Sequence, residues 1–144
     1  MTIVFDTSVL VPALLVKHPN HESAGRWLRS AKIGEHRCVV AAHSLAEVYS
    51  NLTGLPYSPR ISPPLALEFI QESILSHADV VGLTPQEYVS VLGQMAKLGV
   101  AGGAIYDALI AFAAQKAKAD KLLTFNIDHF KRVWPEGAER IAAP

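Results

Sequence analysis

The stretch Thr2-Ile3-Val4-Phe5-Asp6-Thr7-Ser8 decides how the rest of the chain is read. Thr2 to Phe5 form a short, continuous apolar run with no alternation of polar residues. Such a run marks a strand covered on both faces, the kind found in parallel sheets with helices on either side. Asp6-Thr7 closes the strand. Ser8 is placed to cap a helix over residues 9–16, with Pro12 in its first turn, where a missing N–H costs least.

Working outward, the same strand-then-helix alternation continues. Arg37 to Ala41 is a second strand, Asp79-Val80-Val81-Gly82 a third, and Lys121-Leu122-Leu123-Thr124-Phe125 a fourth. Arg140-Ile141-Ala142 fits a short edge strand. Helices are expected over residues 21–31, where Ala24, Trp27, Leu28 and Ala31 fall at helical spacing, and over 44–52, broken by Gly54-Leu55-Pro56. A proline-punctuated loop leads to a helix over 64–76. Thr84-Pro85-Gln86-Glu87 combines a Thr cap, an early Pro and a Glu at the third position, so the next helix starts there and stops at Gly99. Another helix follows Gly102-Gly103 and ends near Lys118, and a short one covers 128–133. Alternating strands and helices predict a three-layer α/β fold. Its central sheet is mainly parallel, of four to five strands flanked by helices, in a single domain over residues 1–144.

The totals narrow the function. At 144 residues, with half of them apolar and 18% charged, the chain buries a core without staples. Thirteen basic residues balance thirteen acidic ones, which argues against holding nucleic acid mainly by bulk electrostatics. Cys38 is the only cysteine, so an intrachain disulfide and a Cys-based zinc site are both excluded, which fits a reducing cytoplasm. The apolar N-terminus lacks a basic leader and carries Asp6, unlike a signal peptide. No run approaches the ~18 apolar residues of a membrane span. The expectation is a soluble, intracellular protein with no membrane partner.

One carboxylate stands out. In Gly102-Gly103-Ala104-Ile105-Tyr106-Asp107-Ala108-Leu109-Ile110-Ala111-Phe112-Ala113-Ala114, a helix apolar on nearly every face carries Asp107 in its first turns. An ionised Asp in such surroundings is costly unless a cation meets it. Parallel sheets bind ligands beyond the carboxyl ends of their strands. Asp6 follows the first strand, Glu47 lies one turn into the helix after the second, and Asn126 and Asp128 follow the fourth. Carboxylates gathered at one sheet edge repel unless a cation compensates them. Oxygen donors without Cys or patterned His suit Mg²⁺ or Mn²⁺, ions that activate water and bind phosphate oxygens.

Each residue also has a plainer reading. Asp6 could be a turn residue, and Ser44-x-x-Glu47 is a capping box in which Glu47 would only reach back to the Ser44 backbone. Thr124 is an ordinary strand residue whose hydroxyl could equally face the crevice. His18 and His21 straddle a proline at a helix entrance, with no third ligand patterned beside them. Arg26, Arg29 and Lys32, and likewise Lys116, Lys118 and Lys121, read as solvated faces. Neither a G-x-x-x-x-G-K-[ST] loop, nor a G-x-G-x-x-G turn, nor a G-x-S-x-G elbow is present, which leaves nucleotide-binding and serine-hydrolase readings unsupported.

The segments IVFDTSVLV, HSLAEVYSNLTGLP, GGAIYDALIAFAA and KLLTFNIDHFKRV, in this order and spacing, resemble the PIN domain. They are most similar to VapC-type ribonuclease toxins of type II toxin–antitoxin modules, and the resemblance spans essentially the whole chain. It implies a PIN-like fold and a Mg²⁺- or Mn²⁺-dependent endoribonuclease. The family's acids carry over to Asp6, Glu47 and Asp107 as catalytic and metal-binding residues. Its fourth position carries over to Asn126, in place of the usual Asp, with Asp128 nearby as a possible substitute ligand. Ser8 and Thr124 match polar positions that orient groups in the site. The implied reaction is hydrolysis by a metal-activated water, leaving a 5′-phosphate and a 3′-hydroxyl on single-stranded or looped RNA. The implied partners are RNA, a small cognate antitoxin and a second copy of the chain in a homodimer. Two other classes stay open: a catalytically weak PIN module for RNA binding or assembly, and a metal-dependent phosphohydrolase of small molecules. The second lacks the D-x-D signature after its first strand, since Asp6 is followed by Thr7-Ser8.

Overall fold

The computed structural model describes all of residues 1–144. Its centre is a five-stranded sheet in the order β3-β2-β1-β4-β5, with every neighbouring pair parallel. The strands are β1 (Thr2–Phe5), β2 (Arg37–Ala41), β3 (Ala78–Val81), β4 (Lys121–Leu123) and β5 (Ile141–Ala142). The helices are α1 (Thr7–Leu14), α2 (His21–Lys32), α3 (Ala42–Gly54), α4 (Pro63–Ile70), α5 (Pro85–Leu98), α6 (Ala104–Lys116) and α7 (Ile127–Val133). A π turn (Gln71–Leu75) extends α4, and a 3-10 turn (Pro135–Arg140) leads into β5.

β1 lies in the middle of the sheet, which is why its residues are apolar without alternation. Ile3 and Phe5 enter one core and Val4 the other, all with no exposed surface. β2 divides the same way, Cys38 and Val40 on the first face, Val39 and Ala41 on the second. Helices α1 to α4 close the first core with Leu10, Leu28, Val48, Leu52 and Ala66. Helices α5 to α7 close the second with Val91, Met95, Leu109, Ile110 and Phe130. Full burial of each large aliphatic side chain contributes about 1.5–3 kcal/mol, so the three layers hold each other in place. No helix is long and apolar enough to cross a membrane.

Several element ends differ from expectation, each for a local reason. α1 starts at Thr7, not after Ser8, because the Asp6 carbonyl already accepts from Val9 and Leu10 at 2.9 and 3.0 Å. Pro12 therefore falls in the second turn, and the helix ends early, at Leu14. α3 starts at Ala42, ahead of Ser44, so the Ser44–Glu47 capping box does not form. The Ser44 hydroxyl is buried with no partner. The capping box at Thr84 does form: Glu87 N–H donates to Thr84 Oγ1 at 3.2 Å and Thr84 N–H to Glu87 Oε1 at 2.8 Å. Gly99 ends α5 at a φ of 67°, where a side chain would be strained.

The chain moves outward from β1 to β2 and β3, then returns to the other side of β1 for β4 and β5. Strand order reverses there, which opens a crevice beyond the carboxyl ends of β1 and β4.

Candidate active site

A cleft of about 390 Å³ fills that crevice, bordered by Asp6, Thr7, Ser8, Glu47, Asn51, Asp107 and Asn126 among others. Asp6 forms its floor. It is 3% exposed, and its backbone N–H is tied to Leu123 O of β4 at 3.0 Å. Ser8 Oγ donates to Asp6 Oδ2 at 2.6 Å and Thr124 Oγ1 donates to the same oxygen at 2.8 Å. Each hydroxyl then accepts a backbone N–H, Ser8 from Phe125 at 3.0 Å and Thr124 from Asn126 at 2.9 Å. The two hydroxyls thus fasten the turn after β4 to a buried carboxylate, which is what an ionised Asp away from water requires. With both protons spent on Asp6, the 3.3 Å approach of Ser8 to Thr124 is a contact and not a further bond. Asp6 Oδ1 takes no protein bond and is left for the cleft.

Glu47 leans over the same space from α3. Thr7 Oγ1 donates to Glu47 Oε1 at 3.3 Å, and His43 Nε2 lies 3.4 Å from that oxygen. Burial raises the Glu47 pKa above the usual range, His43 pulls it back, and Asp6 raises it further. Asp107 enters from the first turns of α6. Burial is the main cause of its pKa rising to about 6, Asp6 adds to the rise, His129 opposes it and Glu47 adds again. His129 Nδ1 stands 3.7 Å from Asp107 Oδ2. Asn126 precedes α7, but its side chain caps nothing and borders the cleft.

Residues 3–134 match the PIN domain family. The chain belongs to that family. It is 38% identical over 119 residues to Ribonuclease VapC40 of Mycobacterium tuberculosis, covering 83% of this chain and 82% of that one. It is 32% identical over 118 residues to Ribonuclease VapC27 of the same organism, covering 82% and 80%. In fold it is similar to the crystal structure of VapBC2 from Rickettsia felis bound to a DNA fragment from their promoter. The TM-score there is 0.64 and the identity 24%, with 92% of each chain covered.

In this PIN domain the sheet brings together Asp6, Glu47, Asp107 and Asn126 at one cleft, with Ser8 beside them and Thr124 buried beneath. Asp128 does not border the cleft. It lies at a second depression with Gly103, Ala104, His129 and Arg132, which shares only Asp107 with the first. His18 and His21 form no pair. His18 Nδ1 accepts from Asn20 N–H at 3.0 Å, and the His21 ring bonds the Pro12 carbonyl at 2.9 Å. His18 and Asn20 do reach the rim of the cleft, and Asn51, one turn after Glu47 on α3, lines it. Asn20 and Asn51 escaped the sequence reading, which had set His18 aside for want of a third ligand. Asn51 carried a usable signal, its spacing of four from Glu47.

No group of three or more His, Cys, Asp or Glu side chains is arranged to hold a metal ion on its own. The donors nonetheless fit one. They are hard oxygens, and burial with mutual repulsion disfavours the ionised forms of Asp107 and Glu47, a cost a cation would offset. Mg²⁺ in particular takes few protein ligands and keeps several waters, so a loosely gathered set suits it.

Proposed function

We propose that this chain is an endoribonuclease toxin of a type II toxin–antitoxin module that hydrolyses RNA phosphodiester bonds with Mg²⁺ or Mn²⁺. The observation that carries this reading is the meeting of Asp6, Glu47 and Asp107 around one cleft at the β1/β4 crevice. It is supported by the identity of 38% to a protein named a ribonuclease. Asp6, Glu47 and Asp107 would hold the ion, with Asn126 as a neutral oxygen donor beside them. Such an ion, when bound, lowers the pKa of a water and stabilises charge on a phosphate. Ser8 and Thr124 hold the Asp6 carboxylate in one orientation, so its free oxygen faces the cleft without reorganisation during the reaction. The products on this reading carry a 5′-phosphate and a 3′-hydroxyl.

The partners on the same reading are RNA, a second copy of the chain and a small cognate antitoxin, all in the cytoplasm. An Arg or Lys from the antitoxin would meet the Glu47 and Asp107 carboxylates and supply the positive charge they lack. The test is cleavage of structured RNA by purified protein in Mn²⁺, alongside isothermal titration of Mn²⁺ into the protein. Asp107→Ala should abolish cleavage and weaken metal binding while the fold survives. Cleavage that persists in the variant after chelation would sink the reading.

A further inference from the structure

The cleft that gathers the acids offers little grip on a nucleic acid strand. No Lys or Arg borders it, and the chain's net charge is zero. Beside it, however, stands a feature that packing does not account for. Tyr106, the residue before Asp107, stacks on His43 with ring centroids 4.9 Å apart and an interplanar angle of 5°. His43 in turn lies 3.4 Å from Glu47. Neither ring belongs to either hydrophobic core, and Tyr106 is 49% exposed. Both side chains project from the first turns of rigid helices, α6 and α3, and each is adjacent to one of the cleft's acids.

We propose that the Tyr106–His43 stack is a platform on which a base of single-stranded RNA lies, positioning the neighbouring phosphate over the acidic cleft. The proposal rests on the ribonuclease reading and names how that site holds its substrate. An aromatic face accepts any base, because every base has a π-face, and so grips without the phosphate contacts that the cleft lacks. His43 holds the Tyr106 ring before substrate arrives, so little side-chain freedom is lost on binding. Tyr106 needs no hydroxyl for this role, and the phenol makes no hydrogen bond within the protein.

The test uses 5′-labelled single-stranded oligoribonucleotides of mixed sequence, cut in Mn²⁺ by wild type, Tyr106→Ala and Tyr106→Phe. Tyr106→Ala should lower kcat/KM roughly 5- to 100-fold, as loss of one stacked base predicts, with an unchanged melting temperature. Tyr106→Phe should recover the wild-type rate. An abasic nucleotide placed in turn along the fastest substrate should slow wild type at one position and have no further effect there on Tyr106→Ala. Equal rates for wild type and Tyr106→Ala, or losses that multiply at every abasic position, overturn the proposal. So does a Tyr106→Ala variant that keeps its rate but changes its sedimentation, which assigns the stack to a protein interface. A second measurement needs no cleavage: with metal chelated, anisotropy should show the same RNA bound 5- to 100-fold more weakly by Tyr106→Ala. Wild type that cuts nothing refutes the ribonuclease reading, and equal anisotropy titrations refute the platform separately.

Discussion

With no cation beside it, Asp107 should weaken the fold. Burial, with Asp6 and Glu47 nearby and His129 in partial opposition, moves its pKa from 3.8 to about 6. A rise of about 2 units corresponds to about 3 kcal/mol against the ionised form at neutral pH. The side chain is still 22% exposed, so screening by water brings the expected effect to about 1–2 kcal/mol. Asp107→Asn keeps the shape and removes the charge. In EDTA at pH 7.5, urea denaturation should therefore show the variant more stable by about 1–2 kcal/mol, and melting should rise by roughly 2–8 °C. The direction with pH follows from the raised value. The folded state holds the Asp107 proton up to about pH 6 and the unfolded state only to about 3.8, so this group's contribution to stability is fully present below the lower value. That stability is lost as the pH rises through about 6. The gap between Asp107→Asn and wild type should accordingly close on acidification to pH 4. A variant that is less stable than wild type at pH 7.5, or a gap unchanged at pH 4, would refute the electrostatic reasoning. Gain of stability together with loss of cleavage is the pattern of a residue kept for function at a cost to the fold.

Two further substitutions probe local packing. Ser44→Ala should be neutral or stabilising by up to about 1 kcal/mol in urea denaturation, because the buried hydroxyl it removes has no partner. A loss of about 1 kcal/mol would instead revive the capping role that the α3 start excludes. Gly137→Ala should cost about 1–3 kcal/mol by the same measurement, since its Cβ would run into the Trp134 indole and force the second core apart. A wild-type melting curve for that variant would show that the 3-10 turn yields freely.

The legible parts of the chain were those in which neighbours in sequence are also neighbours in space. β1 is readable because burial on both faces demands an apolar residue at every position, and Ile3, Val4 and Phe5 supply them. The α5 boundaries are readable because Thr84, Glu87 and Gly99 act within one turn of themselves. Asp107 is readable as an anomaly because an apolar helix sets it off. The same local logic offered capping roles for Ser8 and Glu47 that the fold does not use. Both sit where a helix-capping residue would sit, and the letters are the same whether the side chain caps or turns away. In the folded chain Ser8 donates to Asp6 and Glu47 accepts from Thr7, forty residues away along the sequence.

The layers and the strand–helix alternation were written in the sequence, because hydrophobic period and turn chemistry lie in adjacent residues. Tertiary structure alone decided which polar residues meet. Thr124 reaches Asp6 across a separation of 118 residues only because β4 pairs with β1. The same pairing puts Asn126 in the cleft, while the first turn of α7 carries Asp128, two residues on, to the neighbouring depression. Spacing along the chain cannot separate those two positions, since a turn and the start of a helix project residues two apart in different directions.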